Sequence, residues 1–209
     1  MKILIANLKP ICYKILSGTS EDYELDLGNI SSDTNLEQEL IFELAQDANL
    51  NLKITGFGEI FINLCLKIEF TGVNSRAKLI SALLLNKNSL VKFKILQNHI
   101  VPDCESWVQV RTVLDDCAQF NYDGKIFISK NAHNTVAHQE NKNIALNKDV
   151  YVRSIPSIQV LNSEVTCGHG SATGELDRDQ LIYLCSRGLP PEIAKTVLIE
   201  SFLGINFLG

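Results

Sequence analysis

A chain of 209 residues, 45% hydrophobic and 21% charged, has ordinary globular composition and enough length for one substantial core. A formal charge of -5, with Lys and Arg scattered rather than blocked, argues against nucleic acid as a partner. No apolar run approaches the roughly 20 residues of a membrane span. The six cysteines (12, 65, 104, 117, 167 and 185) form no Cys-x-x-Cys pair, and no signal-peptide pattern precedes them. Reduced thiols in a cytoplasm are expected, most of them acting as small buried hydrophobes.

In chain order, residues 1–7 read as a first strand, ended by Asn7 and Lys9-Pro10. Period-2 alternation then dominates. Tyr23, Leu25 and Leu27 alternate with Glu24 and Asp26, and Leu50, Leu52 and Ile54 alternate with Asn51 and Lys53. The longest case puts Ile60, Ile62, Leu64, Leu66, Ile68 and Phe70 on one face. Val91, Phe93 and Ile95, then Val108 and Val110, then Ile126 and Ile128 continue the pattern, which is that of half-buried strands. Residues 35–48 fit both a helical stripe and an alternation, and the neighbouring strands favour the second. Gly56, Gly58, Gly72-Val-Asn, Asn86-Lys-Asn and Asn121-Tyr-Asp-Gly read as turns, because Gly and Asn tolerate positive φ. Strands recurring every 10–20 residues without a strict repeat leave a sandwich, a barrel or a β-solenoid open.

Near Thr173 strands give way to helices. Cys167 and His169 sit two residues apart on a short strand, so both side chains leave one face, with glycines at 168, 170 and 174 around them. A thiolate and an imidazole held side by side make half of a transition-metal or iron–sulfur ligand set. Asp177 reads as the N-cap of a helix over about 178–187, with Gln180 as its capping-box partner and Gly188 as its stop. Pro190-Pro191 starts a second helix. Ile193, Ala194, Val197, Leu198 and Phe202 line one arc of it, while Ile199 and Leu203 fall on the other side. Apolar residues on both sides imply either that a partner covers this tip as well as its own domain, or that both sides fold back on that same domain.

The stretch Cys167-Gly-His-Gly-Ser-Ala-Thr-Gly-Glu-Leu-Asp, followed by Gln180-Leu-Ile-Tyr-Leu-Cys-Ser-Arg-Gly-Leu, resembles the C-terminal motif of the SufB/SufD family of iron–sulfur cluster assembly scaffolds, on its SufD arm. Glu43-Leu-Ala-Gln-Asp-Ala-Asn-Leu-Asn-Leu, Asn98-His-Ile-Val-Pro-Asp-Cys-Glu-Ser, Phe120-Asn-Tyr-Asp-Gly-Lys-Ile and Ser154-Ile-Pro resemble other family elements in order. Gly168, Ser171, Ala172 and Thr173 depart from the usual residues. Family members usually carry an N-terminal helical region and a longer β-helix, and this chain is about half their length.

The resemblance implies a mainly β fold, a right-handed parallel β-helix over residues 1–172 with a small C-terminal α-helical subdomain over 173–209. It implies a non-enzymatic subunit partnered by a SufB-like paralogue and a SufC-like ABC ATPase, or a homodimer when isolated. Cys167 and His169 become ligands of a transient iron–sulfur cluster shared with the partner, with no cofactor held stably by this chain alone. Leu189, Ile193, Ile199 and Leu203 become the ATPase-docking residues. A degenerate, cluster-free homodimer and a thiol enzyme using Cys167 are the competing readings. Gly168 to Gly174 lacks the Gly-Lys-Ser/Thr ending of a P-loop, so ATP binding is expected in the partner. Read from their own surroundings, His99 is expected to be a hydrogen-bonded strand-end residue, and His133 and His138 surface or turn residues.

Overall fold

In the computed structural model, which describes residues 1–3, 10–28 and 36–205, the chain winds as a parallel β-helix. Two sheets share the strands by turns. The seven-stranded sheet holds β1 (Lys2–Ile3), β3 (Ser20–Asp26), β5 (Asn49–Gly58), β7 (Arg76–Leu85), β9 (Glu105–Leu114), β11 (Thr135–Ala145) and β13 (Val165–Glu175), in that order. The six-stranded sheet holds β2 (Ile11–Ile15), β4 (Leu36–Leu44), β6 (Phe61–Phe70), β8 (Leu90–His99), β10 (Gln119–Ile128) and β12 (Tyr151–Val160). Each pairing is parallel. Leu36 lies beside Ile62, a step of 26 residues, and Gln119 beside Tyr151, a step of 32. That uneven period explains why no strict repeat is legible. The rest of the first expected strand, and Phe207 and Leu208, lie outside the described residues.

The alternation decides which side of each strand faces the bore. Leu25, Leu52, Ile54, Leu64, Leu66, Ile68, Phe93 and Val110 all point into one apolar column. Residues 36–44 form a strand, with Leu40, Phe42 and Leu44 inside and Ile41 outside. The turns between the sheets stack as well. Asp47, Asn74, Asp103 and Asn134 each adopt positive φ at the same corner of successive rungs. Asn74 donates to Asp47 Oδ1 at 2.7 Å, and Asn134 to Asp103 Oδ1 at 3.0 Å. Short polar side chains pay little for that backbone and satisfy one another there.

Asn121-Tyr-Asp-Gly is not a turn. It lies within β10, and Gly124 is a bore-facing position. A Cβ there would stand 2.3 Å from Gln139 Nε2 and 2.6 Å from the Tyr122 hydroxyl. Glycine is required because the Gln139 amide crosses the bore at that height. Toward the C-terminal rungs the interior indeed turns polar: Gln97, Ser106, Thr112, Gln139, Asn141 and Asn143 are all buried.

Two helices finish the chain, α1 (Arg178–Ser186) and α2 (Pro191–Leu203). Asp177 caps α1 by accepting from the Asp179 and Gln180 amides, and Gly188 ends it at φ 96°. Pro191 takes the first turn of α2. β13 itself runs on to Glu175, so the helical segment begins just beyond it.

Candidate functional site

β13 is the last strand of its sheet, paired on one side with β11 and free on the other among the described residues. Cys167 stands beside Ala137 and His169 beside Gln139, both bore-facing positions of the rung below. Val165, Cys167, His169, Ser171 and Thr173 therefore look across the mouth of the bore. Thr166, Gly168, Gly170, Ala172 and Gly174 look outward.

Cys167 is half-buried over Ile126, Ile128, Ala132 and Ala137, with Ile158 and Val160 of β12 closing the same cluster. His169, two residues on, is exposed. Among the described residues no further rung lies over it, because β12 and β13 end their sheets. Two polar contacts fix the strand. The Ser171 hydroxyl donates to Ser154 Oγ across the mouth at 2.9 Å, and Asn143 donates to Thr173 Oγ1 at 3.2 Å. A soft sulfur and an imidazole are thus held on one rigid strand at an open end. Among the described residues no group of three or more His, Cys, Asp or Glu could hold a metal ion. Cys167 and His169 together offer two donor groups, short of the about four that an iron–sulfur cluster takes.

His99 and Cys104 are structural. His99 is wholly buried, stacks on Phe70 at 4.0 Å and shares a 2.8 Å hydrogen bond between Nε2 and Ser106 Oγ. Burial pushes its imidazole down to about 3. The Cys104 thiol, also buried, donates to the Pro102 carbonyl at 3.3 Å, and burial raises its pKa. His133 is an exposed turn residue as expected. His138 instead lies in β11, where it stacks on Trp107.

Two expectations are corrected here. Cys12 and Cys117 are exposed and Cys65 and Cys185 only half-buried, because Cys12 and Cys65 take outward positions of the six-stranded sheet and Cys117 sits in a turn. All six thiols are free. Secondly, Ile199 and Leu203 are not available to a partner. They are buried against Ala82 and Val113 on the outer face of the seven-stranded sheet, beside Leu84 and Ile144. Arg111 locks that contact by donating to the Phe202 carbonyl at 2.6 Å. The apolar residues left in water at the helical tip are Ile182, Tyr183 and Ile193, while Leu189 is half-buried between the helices.

Bore polarity at Gln139 and the Trp107–His138 stack escaped sequence reasoning. Alternation marks a face as inward, but not what a polar residue on that face will meet.

Comparison with known proteins agrees with this architecture. A family model described as "SUF system FeS cluster assembly, SufBD core domain" matches residues 29–202. An iron–sulfur cluster assembly SufBD family protein of Mycobacterium leprae is 29% identical over 170 residues, covering 77% of this chain and 43% of that protein. The iron–sulfur cluster assembly protein SufD of Escherichia coli is 26% identical over 134 residues, covering 64% and 32%. SufD of Bacillus subtilis is 30% identical over 105 residues, covering 50% and 24%. The chain spans less than half the length of these curated relatives. With the family match extending over most of its residues, the chain belongs to the SufB/SufD family of iron–sulfur cluster assembly proteins.

Proposed function

We propose that this chain is a SufD-like scaffold subunit, not an enzyme. It pairs along the free edge of β13 with a SufB-like chain in the cytoplasm and lends Cys167 and His169 to a nascent cluster at their junction. The observation that carries this reading is the placement of those two residues on the last rung, at an open bore mouth beside an unpaired sheet edge. The cluster is cargo: it is built on ligands from both chains and passed on. As a thiolate the Cys167 sulfur would bind iron, and the His169 imidazole would complete a site that neither chain closes alone. An ABC-type ATPase would dock on the helical tip through Ile193, Leu189, Ile182 and Tyr183, the residues that its own domain leaves uncovered or half-covered.

Anaerobic co-expression with a SufB-like chain and a SufC-like ATPase tests this. Co-purification with visible iron–sulfur absorption is expected, Cys167→Ser and His169→Ala should lose the absorption while keeping the partners, and removal of residues 177–209 should release the ATPase. Normal cluster assembly in both point variants would refute the ligand role. A stable complex without any cluster absorption would identify a purely structural subunit instead.

A further inference from the structure

We propose that the outer face of the seven-stranded sheet binds a small planar heteroaromatic molecule carrying an anionic group, its ring seated in the slot that Gly168 leaves beside His138. The slot lies on the outward side of β13, where His169, the next residue along the strand, also lines the cavity, and it does not depend on the cluster-assembly reading.

Trp107 is the only tryptophan of the chain. It points outward from β9 and is 50% exposed, so it presents a large planar apolar surface with a polar N–H to solvent. His138 stands beside it in register on β11. The two rings stack with centroids 4.2 Å apart and planes 24° from parallel. The same row continues to Gly168 on β13. A Cβ built on Gly168 would meet only the His138 ring, at 3.5 Å and 3.8 Å. One face of the imidazole is thus covered by indole, and the other looks onto a position without a side chain. A flat ring lying there becomes the third member of the stack. Gly170 has nothing near its missing Cβ either, so the outer face of β13 stays low around the slot.

A cavity of about 650 Å³ opens over this row, inside the usual range for small-molecule sites. Its polar rim sets the charge of the occupant. Gln109 donates to Glu140 at 3.0 Å, and Glu140 pairs with Lys142 at 2.7 Å, so both are already engaged. Lys78, next to Trp107 on the side away from His138, makes no ion pair among the described residues. It is three strands from the slot, roughly 14 Å along the row, and its stem spans part of that distance. What remains suits the separation of ring and phosphate in a mononucleotide-sized ligand. Recognition would be by the ring, so no phosphate-cradling glycine loop is needed.

Because Trp107 is the sole indole, its emission reports the site directly. Adenosine 5′-monophosphate is the probe, with adenosine as the ring lacking the anion and ribose 5-phosphate as the anion lacking the ring. The expected result is saturable quenching by the monophosphate at millimolar concentration or below, several-fold weaker with adenosine and absent with ribose 5-phosphate. Gly168→Val fills the slot and should weaken the monophosphate about tenfold or more. Lys78→Ala, on an exposed side chain, should bring the monophosphate down to the affinity of adenosine and leave adenosine unchanged. Quenching that merely rises in proportion to concentration overturns the proposal. So does a folded Gly168→Val variant that binds as well as the unsubstituted chain. Should Gly168→Val not fold, equal monophosphate affinity in Lys78→Ala and the unsubstituted chain does the same.

Discussion

His99 makes stability depend on pH in a way that one substitution isolates. The ring is wholly buried, and burial alone drives its pKa from 6.5 in the unfolded chain to about 3 in the folded one. Nδ1 has no hydrogen-bond partner, whereas Nε2 faces Ser106 Oγ at 2.8 Å. The neutral tautomer that donates from Nε2 leaves only an unprotonated nitrogen unpaired, the cheaper orphan. Below pH 6.5 the unfolded chain gains a proton that the folded chain refuses until about 3. Stability contributed by this site is therefore full above 6.5 and falls through that window as acid is added. Between pH 7 and pH 5 the loss is about 2 kcal/mol, from 1.36 kcal/mol per unit of separation. With a urea slope of about 2 kcal/mol/M, that is a midpoint shift of about 1 M. His99→Gln removes the titration while keeping an amide near Ser106. Urea unfolding of both proteins at the two pH values gives a difference of differences, in which carboxylates such as Glu140, whose pKa is lowered by Lys142 and Gln109, cancel. The unsubstituted chain should lose about 2 kcal/mol more than the variant. Parallel losses in the two proteins would refute the burial argument.

Gly124→Ala should destabilise by about 1–3 kcal/mol in thermal melts, since its methyl group collides with the Gln139 amide and the Tyr122 hydroxyl. Adding Gln139→Ala should recover part of that loss, and strict additivity of the two would speak against the contact. Ile199→Ala and Leu203→Ala should each cost about 2–4 kcal/mol by emptying the cluster over Ala82 and Val113. Folded samples of these two should still retain the ATPase, whereas Ile193→Ala should weaken that complex with little change in melting temperature. Arg111→Met should raise amide hydrogen exchange in the last turn of α2, because the Phe202 carbonyl loses its donor.

Much of the fold was legible because the bore accepts only apolar residues over most rungs. Ile60 to Phe70, read as one inward face, is that face in the structure, and the ambiguous residues 36–44 follow it because a solenoid rung needs a strand there. Asp123-Gly124 misled for a physical reason. Its dipeptide chemistry is that of a turn, but the need for glycine comes from Gln139, on a strand of the opposite sheet, and no local pattern encodes that approach. Helix α2 misled similarly. Its two apolar sides are visible in sequence, but not that Ile199 and Leu203 lie on its own sheet while Ile193 turns outward. At the site, the shared face of Cys167 and His169 followed from strand parity. The exposure of His169 and the half-burial of Cys167 follow from being last in the stack, which spacing cannot show.

Being last has a consequence for which edge can pair. Among the described residues each sheet ends at the C-terminal rung in a strand with one unpaired edge, a hazard that proteins blunt with proline and charge. β12 is so protected: Pro156 interrupts its middle, and Arg153 projects outward beside it. β13 is not. From Val165 to Gly174 it carries no proline, lysine or arginine, and its outward positions are Thr166, Gly168, Gly170, Ala172 and Gly174. Its bore-facing positions Cys167, His169, Ser171 and Thr173 continue the polar turn of the rung below, where Ala137, Gln139, Asn141 and Asn143 stand. An end meant only to close a core would carry apolar bulk inside and charge along the rim. This one carries a thiol, an imidazole and hydroxyl groups inside and a bare edge along one rim. A second strand laid on β13 would satisfy its free amides and carbonyls, and would bring that chain's side chains over the bore mouth. On the proposed reading, the open edge and the two-donor site would be answered by the same event, with the pairing partner supplying the donors that the described residues lack.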